Sequence, residues 1–139
     1  MRRRCPTAAR LAPALAGLVL LFAPAVAGCG KSGAARLAGH WRGTKVEGVT
    51  PDQQQAANDF ALQTEILATP DAISVTTPGK GKITSRFKVV REDKKSLVIV
   101  TDSDGPKDEQ TFTFDDERSM KWRVVEGKLM TFEREVAAK

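Results

Sequence analysis

Three residue types that build many functional sites are scarce in this sequence of 139 residues: tyrosine is absent, histidine occurs once and cysteine twice. The one histidine, His40, has no neighbouring cysteine or second histidine, so the chain lacks the ligand clusters of zinc sites. No serine lies beside it in a pattern typical of a catalytic triad. Two cysteines are too few for the framework of two to four disulfides that holds small secreted domains together. We therefore expect no metal, no cofactor and no enzymatic activity, with His40 an ordinary strand-end or surface residue.

One stretch of the sequence is long and uncharged, from Leu11 to Ala27. Arginines at positions 2–4 precede it, and small residues close it just before Cys29. A basic start, an apolar middle and a small-residue end are typical of a secretory signal peptide. The run holds Pro13 and Pro24 and is shorter than the roughly 20 residues of a membrane-spanning helix. The pattern therefore predicts a signal peptide over residues 1–28 and not a retained membrane span.

The end of this run, Val26-Ala27-Gly28-Cys29, resembles the lipobox of bacterial lipoproteins. The resemblance implies cleavage before Cys29, attachment of a diacylglyceryl group to its thiol and acylation of its new amino group. It also implies an extracytoplasmic protein whose partner is the membrane, reached through the lipid on Cys29. In a host with two membranes, Gly30 replaces the aspartate that retains lipoproteins in the inner membrane, so outer-membrane residence facing the periplasm is favoured.

Removal of residues 1–28 changes the composition on which functional inference depends. Four of the 22 basic residues lie before Cys29 and none of the acids does, which leaves 18 basic and 17 acidic residues. A near-neutral domain lacks the basic surface that displaces counterions from nucleic acid, so we expect no nucleic-acid partner. With Cys5 removed and Cys29 acylated, the domain has no free thiol and must be stabilised by its core. About 100 residues suffice for one domain with a modest core.

The remaining sequence predicts a short tether followed by a β domain. Residues 29–36 are small and polar and predict a flexible tether, and the domain extends over residues 37–135. Thr50, Pro51 and Gln53 predict the cap and first turn of a short helix to Asp59. Short alternating runs bounded by turn residues predict strands at 41–46, 60–68, 73–77, 83–91, 97–101, 110–114, 120–125 and 129–135. About eight sequential strands favour an antiparallel up-and-down barrel or half-barrel, with other antiparallel β-sheet domains left open.

The two ends of this domain carry a motif pair. Gly39-His40-Trp41 opens the first strand, and Arg134 follows Phe132 by two residues in the last strand. The pair resembles the lipocalin and calycin class, in particular the small lipocalin-like bacterial lipoproteins. The resemblance implies that Trp41 stacks on Arg134 and ties the first strand to the last as a barrel-closing structural pair. It also implies a binding function for a small hydrophobic ligand.

Seven apolar residues on successive strands are candidates for an apolar pocket or for the core: Phe87, Val89, Ile99, Phe112, Phe114, Trp122 and Phe132. An eight-stranded barrel can be filled by its own side chains, so two functions stay open. The first is a lipoprotein that binds a small hydrophobic ligand, and the second is a cell-envelope interaction or scaffold domain with a filled interior and an unspecified protein partner. The segments at residues 78–82, 102–105 and 115–117 are predicted to be polar turns and not phosphate or calcium sites, because their ligand spacing does not fit.

Overall fold

The alternating pattern does produce strands, and the computed structural model describes them within residues 32–103 and 109–136. Helix α1 covers Gly33–Leu37 and helix α2 covers Gln54–Leu62. The strands are β1 Gly39–Glu47, β2 Glu65–Ala68, β3 Ala72–Thr77, β4 Gly81–Glu92, β5 Ser96–Thr101, β6 Glu109–Phe114, β7 Ser119–Val125 and β8 Lys128–Arg134. Each strand pairs antiparallel with the next, and β8 pairs with β1 to close the barrel. The predicted up-and-down barrel with one short helix after its first strand is confirmed. None of the helices described is both long and apolar enough to cross a membrane.

The seam between β1 and β8 shows which residues face the interior. Trp41 lies opposite Arg134, and Gly43 lies opposite Phe132. Directly opposed residues of an antiparallel pair share one face of the sheet. Trp41 and Phe132 are fully buried, so this face is the inner one. A bulge between Gly43 and Lys45 shifts the register, and the inner face continues at Val46, which is 8% exposed.

Helix α2 begins later than the sequence predicts and also ends later. Residues 51–53 form a turn, and the N-cap Gln53 makes no side-chain capping bond. The helix then runs through Phe60–Leu62, which the alternating pattern assigns to a strand, so that part of the prediction is wrong. Ala61 is fully buried against Gly43, where any side chain would overlap the carbonyl oxygen of Ala61. This close approach of helix to strand outweighs the local alternation, and β2 is left with four residues.

The start of the domain also differs from the prediction. Residues 32–36, predicted as tether, belong to a packed helix: the Ser32 hydroxyl caps α1 by accepting from the Ala35 amide at 3.3 Å. The Gly33 amide donates to Glu92 Oε2 at 2.6 Å. Composition indicates flexibility here because Gly, Ala and Ser are small, but small size is what lets α1 approach β4 and β5. A Cβ at position 33 would overlap the side chains of Glu92 and Leu97.

The barrel interior holds one cluster of large side chains. Leu37 at the end of α1 is fully buried and closes the barrel end from which β1 starts; we call this the sealed end. The other members of the buried cluster are Trp41, Val46, Ala61, Ile66, Ala68, Ile73, Phe87, Leu97, Ile99, Phe112, Phe114, Met120, Met130 and Phe132. These side chains fill the barrel from Leu37 at the sealed end to Val46, next to the last residue of β1.

Candidate functional site

The two ends of the barrel differ in how well they cover the inner face. In an up-and-down barrel, the connections from β1 to α2, β3 to β4 and β7 to β8 lie at the end opposite α1. Val75 of β3 faces Ile83 of β4, and this pair continues the inner face from Ile73 and Ser85. Ile73 and Ser85 are buried, whereas Ile83 is 51% exposed and Val75 is half-buried. The inner face is therefore apolar and accessible at this end.

Trp122 of β7 also lies on the inner face toward this end. It lies opposite Phe112 on one side and Met130 on the other, both buried, yet Trp122 itself is half-buried. Its ring stacks on Phe112 with centroids 6.0 Å apart and an interplanar angle of 16°. Its indole Nε1 donates to Gln110 Oε1 at 2.8 Å. We call this end of the barrel, where Val75, Ile83 and Trp122 lie on the inner face, the open end.

Most of the seven predicted pocket or core residues lie in the buried cluster. Phe87, Ile99, Phe112, Phe114 and Phe132 are between 0% and 8% exposed, and the structure brings them together in one core. Trp122 packs against this core from the open end. The structure separates Val89 from the group, because it is 40% exposed. The reason is that β3 stops pairing with β4 at Arg86, so β4 has no neighbouring strand on its β3 side at Val89.

Trp41 and Arg134 lie together at the sealed end. The guanidinium carbon of Arg134 is 4.2 Å from the Trp41 ring centroid. Arg134 Nε donates to the Glu117 carbonyl at 2.8 Å, Nη1 to Ala38 at 2.5 Å and Nη2 to Arg36 at 2.7 Å. Burial lowers the pKa of Arg134 from its ordinary value, and the nearby carboxylate of Glu117 opposes that shift. The arginine thus bridges α1, β8 and the turn that precedes β7.

A cleft of about 510 Å³ opens beside this arginine. Its floor is Phe114, over whose ring the guanidinium carbon of Arg36 lies at 5.0 Å. Its remaining walls are Lys94, Lys95, Asp115, Asp116, Glu117, Arg118, Arg134 and Val136. The β4–β5 turn that supplies the lysines is held by Asp93. Hydrogen bonds from the Lys95 amide, then from the Ser96 hydroxyl and amide, lower the pKa of Asp93.

A second cleft, of about 520 Å³, lies where β4 leaves β3 and joins β5. It is lined by Asp71, Arg86, Phe87, Lys88, Val100, Thr101 and Asp102. Each of the two clefts contains one residue of the predicted apolar set, Phe114 in the first and Phe87 in the second. Both clefts are otherwise lined mainly by polar and charged residues.

Two charged networks lie on the outer surface. His40 contacts Glu65 at 3.3 Å through Nε2 and Glu135 at 2.5 Å through Nδ1, and Arg42 contacts the same two carboxylates. Sequence reasoning missed this cluster because its acids lie 25 and 95 positions from His40. Near the open end, hydrogen bonds from Lys45 and then Lys121 lower the pKa of Glu47.

Over the described ranges, no set of three or more His, Cys, Asp or Glu residues is arranged to hold a metal ion. Cys29 lies outside the described residues.

Comparison with known proteins leaves the family of the chain open. No protein-family model matches the sequence, and no curated protein matches it. Among solved structures, the chain is similar to a lipocalin-like protein from Bacteroides uniformis. The two are 16% identical, the match covers 72% of this chain and 99% of that chain, and the TM-score is 0.47.

Proposed function

We propose that this chain is a membrane-anchored extracytoplasmic lipoprotein whose barrel binds the apolar part of a small hydrophobic ligand at the open end, without catalysis. The observation that carries the proposal is the exposure of the apolar inner-face residues Val75 and Ile83 at the open end. Val75 and Ile83 share that face with buried residues and yet reach solvent. Concave apolar surfaces with a few placed polar groups are the usual form of small-molecule sites.

The core sets the depth of this site. Phe112, Ile99 and Met130 lie below the open end and are at most 2% exposed. A ligand that lies on Trp122 therefore meets packed side chains and not a deep cavity. We infer that the ligand inserts one short apolar segment, such as the end of an acyl chain. The Gln110 side chain beside Trp122 is the polar group available to orient it.

The filled interior favours a second candidate function, an envelope interaction or scaffold domain that takes no small molecule. In that case the barrel would serve as a rigid platform and would contact a protein through its surface. Ligand binding separates the two candidates. A scaffold domain with a filled interior would not bind a fatty acid at the open end, so a substitution there would have no binding to weaken.

The ligand test is a titration of residues 30–139 with a fluorescent long-chain fatty acid, compared between two neighbouring substitutions. Ile83 and Thr84 are adjacent exposed residues on opposite faces of β4. Ile83→Asp places a charge on the open end and is expected to weaken binding at least about tenfold, or roughly 1.4 kcal/mol. Thr84→Asp adds the same charge outside the barrel and should bind like the parent. The absence of saturable binding by the parent would favour the scaffold function.

The anchor is tested separately by the mass of the mature protein and by flotation with membranes. We expect a mature chain that begins at Cys29 and carries acyl groups, because Val26-Ala27-Gly28-Cys29 resembles a lipobox. Two or three acyl chains give stable membrane attachment. Cys29→Ser should abolish both processing and flotation. An unmodified chain that floats equally well would contradict the anchor. Fractionation of a two-membrane host would test the proposed outer-membrane location.

A further inference from the structure

Two turns of opposite charge border the cleft at the sealed end. The β4–β5 turn supplies Lys94 and Lys95, and the β6–β7 turn supplies Asp115, Asp116 and Glu117, followed by Arg118. Phe114 and Val136 give the cleft an apolar surface between them. The site therefore presents positive and negative side chains on either side of an apolar floor.

Most of the charges that face this cleft form no ion pair within the part of the chain that the structure describes, although Glu117 lies near enough to Arg134 to raise its pKa. None of Lys94, Lys95 and Arg118 has a carboxylate within 4.0 Å there, and neither Asp115 nor Glu117 has a cation within that distance. The two other cations of the lining differ in kind. Arg36 donates to the Asp93 and Lys94 carbonyls at 2.6 Å each, and Arg134 is bound to three carbonyls. These two arginines are held by the protein's own carbonyls, whereas Lys94, Lys95 and Arg118 are available to bind a ligand.

One side-chain atom of the walls is itself unsatisfied. Nε of Arg36 is buried and has no hydrogen-bond partner among the described residues. A buried donor without a partner costs free energy, and an anion in the cleft would place acceptors near it. The guanidinium of Arg36 already lies over Phe114 on the cleft floor.

The sequence places this end of the barrel next to the proposed lipid anchor. Ser32, the cap of α1, lies three positions after Cys29. A fully extended chain spans at most about 3.6 Å per residue, so Ser32 lies within roughly 11 Å of the anchored residue. Arg36 follows one helical turn later, about 6 Å further along α1. Because α1 is fixed to Glu92 and Arg134, the sealed end cannot move far from the anchor.

We propose that the cleft at the sealed end binds the headgroup of a zwitterionic phospholipid, with its phosphate on Lys94, Lys95 and Arg118 and its ammonium group on Asp115 and Glu117. The proposal rests on the lipid anchor of the proposed function, which brings headgroups to this end. A zwitterion matches the two signs of charge, whereas a purely anionic surface would meet the carboxylates of the β6–β7 turn. The bound headgroup would hold the barrel upright, with the open end toward the aqueous phase.

The test uses the mature protein, isotope-labelled and solubilised in an uncharged maltoside detergent, and titrated with phosphocholine. The chain contains two tryptophans, and their indole N–H signals report the two ends. Trp41 lies beneath Arg134 and beside Phe114 at a centroid distance of 6.2 Å, and Trp122 lies at the open end. We expect phosphocholine to shift the Trp41 signal saturably and to leave the Trp122 signal in place. Inorganic phosphate and choline are titrated alone as separate arms and should bind at least about fivefold more weakly.

A pair of double variants ties the signal to the cleft. Lys94→Ser with Lys95→Ser should weaken phosphocholine binding at least about tenfold. Lys80→Ser with Lys82→Ser removes the same charge from the β3–β4 hairpin and should bind like the parent, and an unchanged Trp122 signal shows that both variants are folded. The proposal is overturned if the Trp41 signal does not move, or if both double variants lose the same phosphocholine affinity. It is also overturned if inorganic phosphate alone binds as tightly as phosphocholine. Because this titration needs no vesicle, its failure is distinct from failure of the anchor, which flotation measures.

Discussion

The guanidinium of Arg134 lies over the indole of Trp41, 4.2 Å from the ring centroid, and the two residues are directly opposed across the β1–β8 seam. The contact ties the first strand of the barrel to the last. The Trp41 indole Nε1 also donates to the Leu37 carbonyl at 2.8 Å, so the same pair fixes the end of α1. Stability of the closed barrel should therefore depend on the shape of the Arg134 side chain as well as on its charge.

Arg134→Lys tests this dependence. Lysine keeps the charge, but its three N–H donors share one nitrogen and cannot reach the three separated carbonyls that Nε, Nη1 and Nη2 of Arg134 contact. We expect a loss of about 1–3 kcal/mol in the free energy of unfolding, measured by urea denaturation. Arg118→Lys is the matched control, because the exposed Arg118 side chain makes no hydrogen bond to the residues described here. Equal stability of the parent and Arg134→Lys would contradict the structural role.

Gly43→Ala tests the packing of α2 on β1. A Cβ at position 43 would overlap the Ala61 carbonyl, which is backbone and cannot rotate away. We expect a loss of about 1–3 kcal/mol in unfolding free energy, because overpacking forces α2 to shift. Gly79→Ala is the comparison: it lies at φ +83° with open space around it, and conformational strain alone should cost about 1 kcal/mol. The packing argument fails if the two variants lose the same amount and the α2 signals stay unshifted.

Leu37→Ala tests the sealed end. Leu37 is fully buried, and its truncation should leave a cavity and cost about 2–4 kcal/mol in a thermal or urea unfolding measurement. The same substitution at Leu62, which is 56% exposed, should change the unfolding free energy by less than about 0.5 kcal/mol. A small effect at Leu37 would show that α1 does not close the barrel.

The β4–β5 turn should make the fold sensitive to acid. Asp93 accepts from the Lys95 amide, the Ser96 amide and the Ser96 hydroxyl, and these bonds hold its pKa below its ordinary value. A carboxylate with a lowered folded pKa stabilises the native state above its unfolded pKa, and that contribution disappears as the pH falls through the folded pKa. The urea midpoint of Asp93→Asn should thus lie below that of the parent at pH 7. The gap should shrink as the pH falls below 3.8, the ordinary pKa of aspartate, and a gap of constant size would contradict this explanation.

Much of the barrel follows from local sequence features. Each hairpin of the sheet is built from neighbouring segments, so turns such as the one at residues 78–80 mark where one strand ends and the next begins. The extent of α2 could not be predicted in the same way. Residues 60–66 alternate like a strand, and what makes the first three helical is the approach of Ala61 to Gly43, 18 positions earlier.

The sites were harder to predict because barrel closure creates them. Lys94 and Asp115 lie on different turns, and no local pattern indicates that they border one cleft. The exposure of Val89 likewise depends on where β3 stops pairing with β4. The buried aromatic residues could be predicted from the sequence, because alternation places them on one face of each strand.

The proposed function places the apolar ligand at the open end, away from the sealed end. The most direct test is a two-tryptophan measurement on isotope-labelled residues 30–139 titrated with a long-chain fatty acid. The indole of Trp122, hydrogen-bonded to Gln110, is predicted to shift saturably, whereas that of Trp41, hydrogen-bonded to Leu37, stays in place. A shift of Trp41 with Trp122 unmoved, or no shift of either signal in the folded protein, would contradict the claim.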